Sequence, residues 1–391
     1  MNDVAPTQHL TLGRRLHEIV LEPMKRAFVG KDEIIDLLGL CLVARENLFL
    51  LGPPGTAKSA LVQDLARRID GRVFDYLLTR FTEPNEIFGP FDIRKLRDGE
   101  LTTNTEGMLP EASLVFLDEL LNANSAILNS LLMVLNERVF RRGRETRALP
   151  TLMVVGASNH LPEDDALAAL FDRFLVRAAC ENAPQEMLSS VLEAGWRLEL
   201  EHGRAEATVG VAEIQSLHEL LPRVNFSALR PDYVELVHRL RRAGIAVSDR
   251  RAVKIQRLLA ASALLSGRLT ADRTDLWVLR YIWDAQEQQQ VLASHVQQAM
   301  AEAEEEQWQT AHPRARGDER PDPQRIAEDL AAIKRQLDQA EASNWSEVEL
   351  ALSRDRLGTL ASRLQWIADE QQQAFLQGEV DALWRRLEQE P

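Results

Sequence analysis

LFLLGPPGTAKS, residues 48–59, joins a short apolar run to a loop that ends in Lys-Ser. The pattern is close to G-x-x-x-x-G-K-[ST], in which loop N–H groups hold nucleotide phosphates, the Lys reaches the β- and γ-phosphates and the Ser ligates Mg²⁺. Ala57 stands where a second glycine is usual, so its backbone must tolerate a Cβ. The simpler alternative is a Gly-Pro turn that joins a buried strand to a helix. The predicted phosphate-binding residues are Gly52, Pro53, Pro54, Gly55, Thr56, Ala57, Lys58 and Ser59.

Two later apolar runs also end in polar side chains. The run 114–117 leads into Asp118 and Glu119, and the run 152–157 is followed within two residues by Asn159. Ligands of open α/β sheets bind at the carboxyl ends of the strands, so we expect these side chains to face the phosphates. Asp118 would support the Mg²⁺, Glu119 would polarise the attacking water, and Asn159 would contact the γ-phosphate or that water. Solvated acids at a strand end and a turn-forming Asn are the alternatives.

The order of periodic segments predicts the domain organisation. Strand-like and helix-like segments alternate up to about residue 178, which predicts a three-layer α/β domain around a parallel sheet. Only helical periodicity continues from about residue 184 to 285. A further helical segment then leads to a breaker-rich stretch, after which apolar residues recur at coiled-coil spacing. We therefore predict an α/β nucleotide-binding core at 1–180, an all-α lid at 181–285, and a C-terminal helical bundle or stalk at 286–391 with a breaker loop at 312–323.

Composition narrows the class of protein. Of the 391 residues, 45% are hydrophobic, but no apolar run approaches the ~18 residues of a membrane span. The N-terminus also lacks a signal-peptide pattern, so we expect a cytoplasmic protein. The two cysteines, Cys41 and Cys180, stand in apolar surroundings and predict core thiols, not a disulfide framework or a zinc site. The net charge of −14 offers no general basic footprint for nucleic acid.

One basic cluster departs from this acidic balance. Residues 138–147, RVFRRGRETR, predict a tight hairpin with Gly143 near its tip. Arg141, Arg142 and Arg144 could grip a phosphate backbone, grip an acidic peptide, or remain solvated. The sequence leaves these three interpretations open.

Three further segments complete the pattern: LTRFTEPNEIFGP at 78–90, LPEA at 109–112 and SDRR at 248–251. Together with the phosphate loop and the acidic strand end, they resemble the AAA+ ATPases of the MoxR family and, within it, the RavA-like branch. The resemblance covers roughly residues 10–300. It implies an AAA+ α/β core followed by an all-α lid, assembled as a ring, usually a hexamer, with ATP and Mg²⁺ bound between subunits.

The resemblance also implies roles for residues outside the strand ends. Arg173 resembles the arginine finger that acts on the neighbouring subunit's nucleotide, and Asn159 resembles the first sensor. Arg250 resembles the second sensor, carried over the nucleotide by the lid, with Arg251 the less favoured candidate. Val29-Gly30-Lys31 resembles the stretch beside the adenine. From the residues alone, each of these arginines is equally a surface side chain in a salt bridge.

The function implied by the resemblance is ATP-driven remodelling or maturation of a protein client, with a partner that bears a von Willebrand factor A domain. The RavA-like branch carries a small β-rich domain within its helical tail, and that domain binds a decarboxylase. No β-rich segment follows the breaker loop at 312–323, so we do not expect that partnership here. A nucleic-acid motor that uses the hairpin at 138–147 and a nucleotide-gated scaffold are the alternatives.

Overall fold

The chain divides into two compact units, Met1–Ala315 and Arg316–Pro391. The computed structural model describes residues 11–97, 102–142, 145–162, 164–183, 187–200, 209–316 and 370–389, together with Ala327, Leu330, Ile333, Lys334 and Leu357.

The first unit contains strands and helices in alternation, followed by helices. The strands are β1 (Leu48–Leu51), β2 (Val73–Leu77), β3 (Leu114–Asp118), β4 (Val139–Arg142), β5 (Glu145–Ala148), β6 (Met153–Ser158) and β7 (Val176–Ala179). Helix α1 covers residues 11–27, and its turn His17–Leu21 is π-helical. The helices that follow are α2 (Asp32–Ala44), α3 (Lys58–Arg68), α4 (Pro84–Phe88), α5 (Ile93–Arg97), α6 (Ser125–Glu137), α7 (Asp165–Phe171), α8 (Leu188–Leu200), α9 (Val211–Leu220), α10 (Arg230–Arg242), α11 (Asp249–Leu265), α12 (Gln288–Met300) and α13 (Glu305–Gln309). Short 3₁₀ segments lie at Leu109–Glu111, Leu120–Asn122, Leu221–Arg223, Arg273–Tyr281 and Pro313–Arg316.

A five-stranded parallel sheet forms the core, in the order β2-β3-β6-β1-β7. Strands β1 and β6 are buried along their whole length, and β3 is buried except at its last residue. Continuous burial is typical of a parallel sheet whose two faces are both covered by helices. The three-layer α/β architecture predicted from the sequence is therefore confirmed.

Local signals determine where α6 begins and ends. The Asn124 Oδ1 accepts the N–H groups of Ala126 and Ile127, each at 3.1 Å, and caps the helix. The same side chain donates to Thr82 O at 2.7 Å, which holds this end of α6 at the edge where β2 and β3 end. Arg138 adopts a left-handed conformation (φ 51°) and ends the helix. Helix α6 therefore runs from the carboxyl edge of the sheet towards the amino edge.

The sequence predicts irregular structure over residues 85–108, with a hairpin turn at Asp98-Gly99, but the structure has the short helices α4 and α5 in this region. The start of α4 is stabilised by a reciprocal capping box, in which the Glu83 N–H donates to Glu86 Oε1 at 2.7 Å. Phe91 and Thr103 form an isolated antiparallel bridge beyond it. The predicted turn at Asp98-Gly99 lies outside the described residues.

Helices α8 to α13 follow the sheet, in agreement with the predicted all-helical segment. Residues 286–315, which the sequence assigned to the C-terminal bundle, fall in the first unit. Their apolar side chains explain this difference, since Leu292 and Val296 of α12 are fully buried and His312 stacks on Trp277 with ring centroids 4.9 Å apart.

In the second unit, α14 (Glu370–Gln389) buries Leu376, Val380 and Leu383 at helical spacing. The rest of the predicted bundle lies outside the described residues apart from the five named above. None of the helices in the described ranges is both long enough and apolar enough to cross a membrane.

Candidate nucleotide-binding site

The loop between β1 and α3 has the backbone shape of an anion cradle. Gly55 (φ 80°) and Ala57 (φ 65°) both adopt left-handed conformations, which turn successive N–H groups toward a common concavity. The Ala57 Cβ costs roughly 1–2 kcal/mol in this conformation. Gly52 is required for a different reason, because a Cβ there would lie 2.1 Å from Cys180 O. Ala57 thus keeps the left-handed geometry that a glycine usually supplies.

Helix α3 begins directly at this loop, with Lys58 as its first residue. Its N-cap residue is Ala57, whose methyl group cannot accept a hydrogen bond, so the first N–H groups of the helix and its positive dipole end are open to an anion. Lys58 is only 6% exposed, and its Nζ donates to Gly52 O at 3.0 Å and to Pro53 O at 2.8 Å. Thr56 Oγ1 also donates to Pro53 O, at 3.1 Å. A buried ammonium beside uncapped N–H groups fits a polyphosphate.

Asp118, Glu119 and Asn159 lie at the same edge of the sheet as the phosphate loop. Strand β6 pairs in parallel with both β1 and β3, so the residues that follow these three strands are neighbours. Glu119 adopts a left-handed conformation (φ 50°), and its N–H donates to Asp118 Oδ1 at 3.0 Å. Left-handed residues other than glycine often mark functional sites. The structure therefore brings the predicted carboxylates and Asn159 together beside Lys58, and their roles stay predictions.

Val29-Gly30 is linked to the phosphate loop through Lys31, the third residue of the predicted adenine-side stretch, and through Cys180, which the sequence predicted to be a core thiol. The Lys31 Nζ donates to the carbonyl of Glu181 and lies 3.9 Å from Cys180 Sγ. The Cys180 thiol is fully buried and lies 3.4 Å from Thr56 Oγ1. This chain of contacts places the predicted adenine-side residues next to the loop.

Arg173 lies at the opposite edge of the sheet. Asn47, which precedes β1, donates its Nδ2 to Arg173 O at 3.2 Å. The Arg173 guanidinium is 3.5 Å from Asp172 Oδ2, and its Nε has no hydrogen-bond partner among the described residues. Because β1 separates Asn47 from the phosphate loop, Arg173 does not face the loop of its own chain.

Arg250 lies at this same amino edge. Its Nη2 is 3.4 Å from Asn136 Oδ1 near the end of α6, and Asn47 Nδ2 reaches the adjacent Leu135 O at 3.5 Å. The predicted placement of Arg250 over its own nucleotide is therefore wrong. The reason is the packing of α11, because Lys254 and Arg257 each lie 3.4 Å from a carboxylate oxygen of Glu46, a buried residue just before β1.

A buried ion network joins the neighbourhoods of the two arginines. The Asp284 carboxylate lies 2.6 Å from Arg177 Nη1 and 2.9 Å from Arg251 Nη1. Arg177 also donates to Phe171 O at 3.2 Å, close to Arg173 in the chain. Burial and the neighbouring Arg251 guanidinium lower the pKa of Arg177 to about 10. Sequence reasoning missed this network, although an arginine within the apolar strand β7 was a signal that it needed a buried partner.

The predicted arginine hairpin exists as the antiparallel pair β4–β5. Arg141 pairs with Glu137 at 2.9 Å, in an exposed position. Arg142 donates to Gly89 O at 2.7 Å, and its guanidinium carbon lies 3.9 Å from the centre of the Phe91 ring. Arg142 therefore packs the hairpin against the α4 region, a role that none of the three interpretations anticipated. Gly143 and Arg144 lie outside the described residues.

A separate buried cluster contains His17, Asp36 and His312, whose potential ligand atoms lie within 4.8 Å of one another. Asp36 already pairs with Lys25 at 2.7 Å and with Arg314 at 3.1 Å. The Nδ1 of His312 accepts the Arg314 N–H at 3.1 Å, so a neutral ring carries its own proton on Nε2 and offers no lone pair there to a metal. Burial lowers the pKa of both imidazoles, which keeps them neutral. We therefore assign no metal to this cluster.

Comparison with known proteins identifies the family. Residues 14–219 match the model of the MoxR domain in the MoxR-vWA-beta-propeller ternary systems, and residues 232–296 match a model of an AAA lid domain. The chain belongs to the MoxR family of AAA+ ATPases. The lid match in this MoxR-family chain includes both Arg250 and Asp284.

Relatives support the same assignment. Two uncharacterized proteins of Methanocaldococcus jannaschii are each 35% identical to this MoxR-family chain, over 268 and 275 residues, and each alignment covers 68% of this chain and 70% of the relative. Chaperone MoxR1 of Mycobacterium tuberculosis is 29% identical over 171 residues, which is 43% of each chain. A Cytophaga hutchinsonii protein of known structure, described as a candidate ATPase, superposes with a TM-score of 0.62 at 18% identity, covering 76% of this chain and 97% of that one. That likeness concerns the fold, and it agrees with an AAA+ core followed by helices.

Proposed function

We propose that this MoxR-family ATPase forms an Mg²⁺-dependent ring that hydrolyses ATP between subunits and thereby remodels or matures a protein client. The observation that carries the proposal is the separation of the site into two halves. Lys58 and Glu119 lie at the carboxyl edge of the sheet, whereas Arg173 and Arg250 lie at the amino edge. A neighbour arranged head to tail would complete both halves, and head-to-tail contacts that close generate rings. A hexamer is the ring that the family resemblance favours.

In this proposal, the phosphate-side residues come from one subunit. Lys58 and the loop N–H groups bind the phosphates, Ser59 and Asp118 hold the Mg²⁺, and Glu119 polarises the attacking water. Bound Mg²⁺ would neutralise charge on the β- and γ-phosphates. Asn159 contacts the γ-phosphate or the water. The carboxylates and the serine hydroxyl are oxygen ligands of the kind that Mg²⁺ prefers.

The neighbouring subunit supplies the cations. A guanidinium aimed at the transferred phosphoryl group can contribute ~10³–10⁵ in rate, because charge develops on the phosphate oxygens in the transition state. Arg173 has this role in the proposal. Arg250 lies at the same edge, so we assign it an action on the neighbour's nucleotide in place of its own. ATP would then be hydrolysed only after the ring has assembled.

The proposed partner is a protein with a von Willebrand factor A domain. The family model describes MoxR domains that operate in systems with such a domain and a β-propeller. A cytoplasmic location and membership of the RavA-like branch, without its inserted β-rich domain, are finer parts of the same proposal. The nucleic-acid motor is less well supported, because Arg141 and Arg142 are engaged with their own chain.

A mixing experiment tests the shared site. Glu119→Gln and Arg173→Ala chains should each bind ATP and hydrolyse it slowly. In a 1:1 mixture, interfaces that join an intact Glu119 to an intact Arg173 should restore about a quarter of wild-type turnover by random assembly. Mixtures no more active than the separate variants, with mixed rings shown by native mass spectrometry, would contradict a site shared between subunits.

Partner capture tests the remodelling. Tagged Glu119→Gln protein, incubated with nuclease-treated lysate, should retain a von Willebrand factor A protein only with ATP, whereas wild-type protein should release it on hydrolysis. Equal capture by both proteins would indicate a nucleotide-gated scaffold. Recovery of nucleic acid before nuclease treatment, with no protein partner left after it, would indicate a motor.

A further inference from the structure

A stripe of exposed apolar side chains runs along α8. Leu188, Leu192, Trp196 and Leu200 succeed one another at four-residue spacing and are 53%, 65%, 66% and 72% exposed. On the other side of the helix Ala194 is buried, and Leu198 packs against the core. All four side chains of this α8 stripe are thus more than half exposed. A contiguous exposed apolar surface is typical of an interaction site.

A groove of matching character lies between α10 and α11. It has a volume of about 240 Å³, enough to admit an indole ring. Two of its side chains, Val234 and Val253, are 47% and 64% exposed although both are apolar. The apolar lining of this α10–α11 groove consists of Phe226, Tyr233, Val234, Val237, Ala252 and Val253.

The stripe and the groove each adjoin one half of the proposed ATP site. Helix α8 begins beside Gly30, since Met187 Sδ would lie 3.6 Å from a Cβ placed on that glycine. Val253 follows Arg250 by three residues on α11, so the two exposed side chains share one helix face. A neighbour whose Arg250 reaches the nucleotide beside Gly30 therefore brings its Val253 towards α8.

Charge around the two surfaces is complementary. Glu193 lies one turn before Trp196 and is exposed. Arg230, also exposed, lines the groove. Opposite charges that flank an apolar contact favour one register over others and disfavour wrong partners. The two surfaces of the same chain are thus both apolar, and the acidic Glu193 beside one has a basic counterpart, Arg230, beside the other.

We propose that the α8 stripe of one subunit docks in the α10–α11 groove of the next subunit, with Trp196 as its central side chain. The inference rests on the proposed function, because the head-to-tail ring brings the two surfaces together. The contact would attach the adenine side of one ATP site to the helix that carries the neighbour's Arg250. Assembly of the ring and completion of the site would then be a single event.

Cross-linking tests this contact directly. The two natural cysteines, Cys41 and Cys180, are fully buried, so introduced thiols should react alone. The double variant Trp196→Cys/Val253→Cys, treated with a short bismaleimide in the presence of ATP, should give a covalent ladder up to the full ring. Mixed single variants should give dimers only, and each single variant alone should give monomers.

The outcomes separate this inference from the proposed function. If the double variant assembles into rings but gives no ladder, the docking proposal fails and the ATPase proposal stands. Dimers from Trp196→Cys alone would show a symmetric contact and would also overturn it. If a protein partner, and not the neighbouring subunit, protects the introduced thiol of the Trp196→Cys variant from maleimide within intact rings, the stripe is a partner site and the proposal is wrong. If wild-type protein forms no ring, both proposals fail.

A charge variant gives a second measurement. Trp196→Glu should weaken ring formation at least tenfold in subunit concentration while the isolated chain keeps its ATP affinity, because this side chain is mostly exposed. Phe375→Glu is the matched control, since Phe375 is an equally exposed aromatic residue (67%) in the second unit. Wild-type assembly by Trp196→Glu would contradict the docking proposal.

Discussion

Replacement of Asp284 by Asn probes the link between the two arginines of the amino edge. The Asp284 carboxylate accepts hydrogen bonds from Arg177 Nη1 at 2.6 Å and from Arg251 Nη1 at 2.9 Å. These guanidiniums are 1% and 7% exposed, so the native site already holds two buried cations on one anion. Asparagine keeps the shape of the side chain and removes its charge. The variant therefore leaves two buried positive charges without an anionic partner.

The expected loss of stability follows from this geometry. Removing one partner of a fully buried ion pair costs about 3–5 kcal/mol. Asp284 is 34% exposed, so water screens part of the interaction, and we expect about 2–3 kcal/mol. The midpoint temperature of thermal unfolding should fall by roughly 5 °C.

The variant is also expected to lose ATPase activity. The carbonyl of Phe171, which accepts a hydrogen bond from Arg177, should lose its fixed position, and Arg173 and Arg250 should shift with their segments. A misplacement of about 1 Å can cost 10²-fold in rate, so we expect kcat to fall by about that factor. The KM for ATP should change by less than about twofold, because Asp284 does not contact its own phosphate loop.

Steady-state ATPase kinetics and thermal unfolding on the same preparation measure both effects. Asp249→Asn is the matched control, because Asp249 pairs with Arg241 at 2.7 Å at the start of α11 but is 96% exposed, and it should leave kcat and unfolding unchanged. A 1:1 mixture with Glu119→Gln should recover turnover, which a misfolded chain cannot provide. An unchanged kcat beside a lowered unfolding temperature would refute the positioning role and leave Asp284 with stability alone.

Three further predictions concern residues of the first unit. Lys58→Ala should abolish ATP binding in a fluorescent-nucleotide titration, since the phosphates lose their buried ammonium, and undiminished affinity would contradict the phosphate-loop assignment. Ala57→Gly should raise the free energy of unfolding by about 1 kcal/mol and keep ATP binding, because it removes the left-handed Cβ penalty; lower stability in denaturant titrations would show that the Cβ makes a favourable contact. Burial lowers the pKa of His218 from 6.5 to about 4, so the unfolded chain takes up this proton first as the pH falls. The stability contributed by the neutral ring is therefore complete above pH 6.5 and is lost towards pH 4. The free energy of unfolding should fall by about 2 kcal/mol between pH 7 and pH 5 for this reason. His218→Gln should remove that part of the pH dependence, and an equal pH dependence of unfolding in both proteins would contradict the prediction.

The sequence by itself determined the nucleotide half of the site. Glu119 and Asn159 each directly follow a buried strand, and Lys58 ends the contiguous phosphate loop that follows β1. Parallel strands of one sheet end at one edge, so the clustering of these residues follows from local patterns and a general rule of topology. Even the departure at Ala57 could be anticipated, because the loop requires a particular backbone conformation whichever residue occupies it.

Only the tertiary structure decided where the arginines lie. The short segment around Arg250 resembles a sensor, but the position of α11 depends on Glu46, far away in the sequence, which pairs with Lys254 and Arg257. The engagement of Arg142 with the α4 region and the joining of Arg177 to Asp284 have the same origin. A guanidinium can reach any anion or carbonyl that packing brings near it, and packing between distant elements leaves no periodic trace in the sequence. The strand ends were therefore predictable from their local pattern, whereas the partners of the arginines required the folded chain.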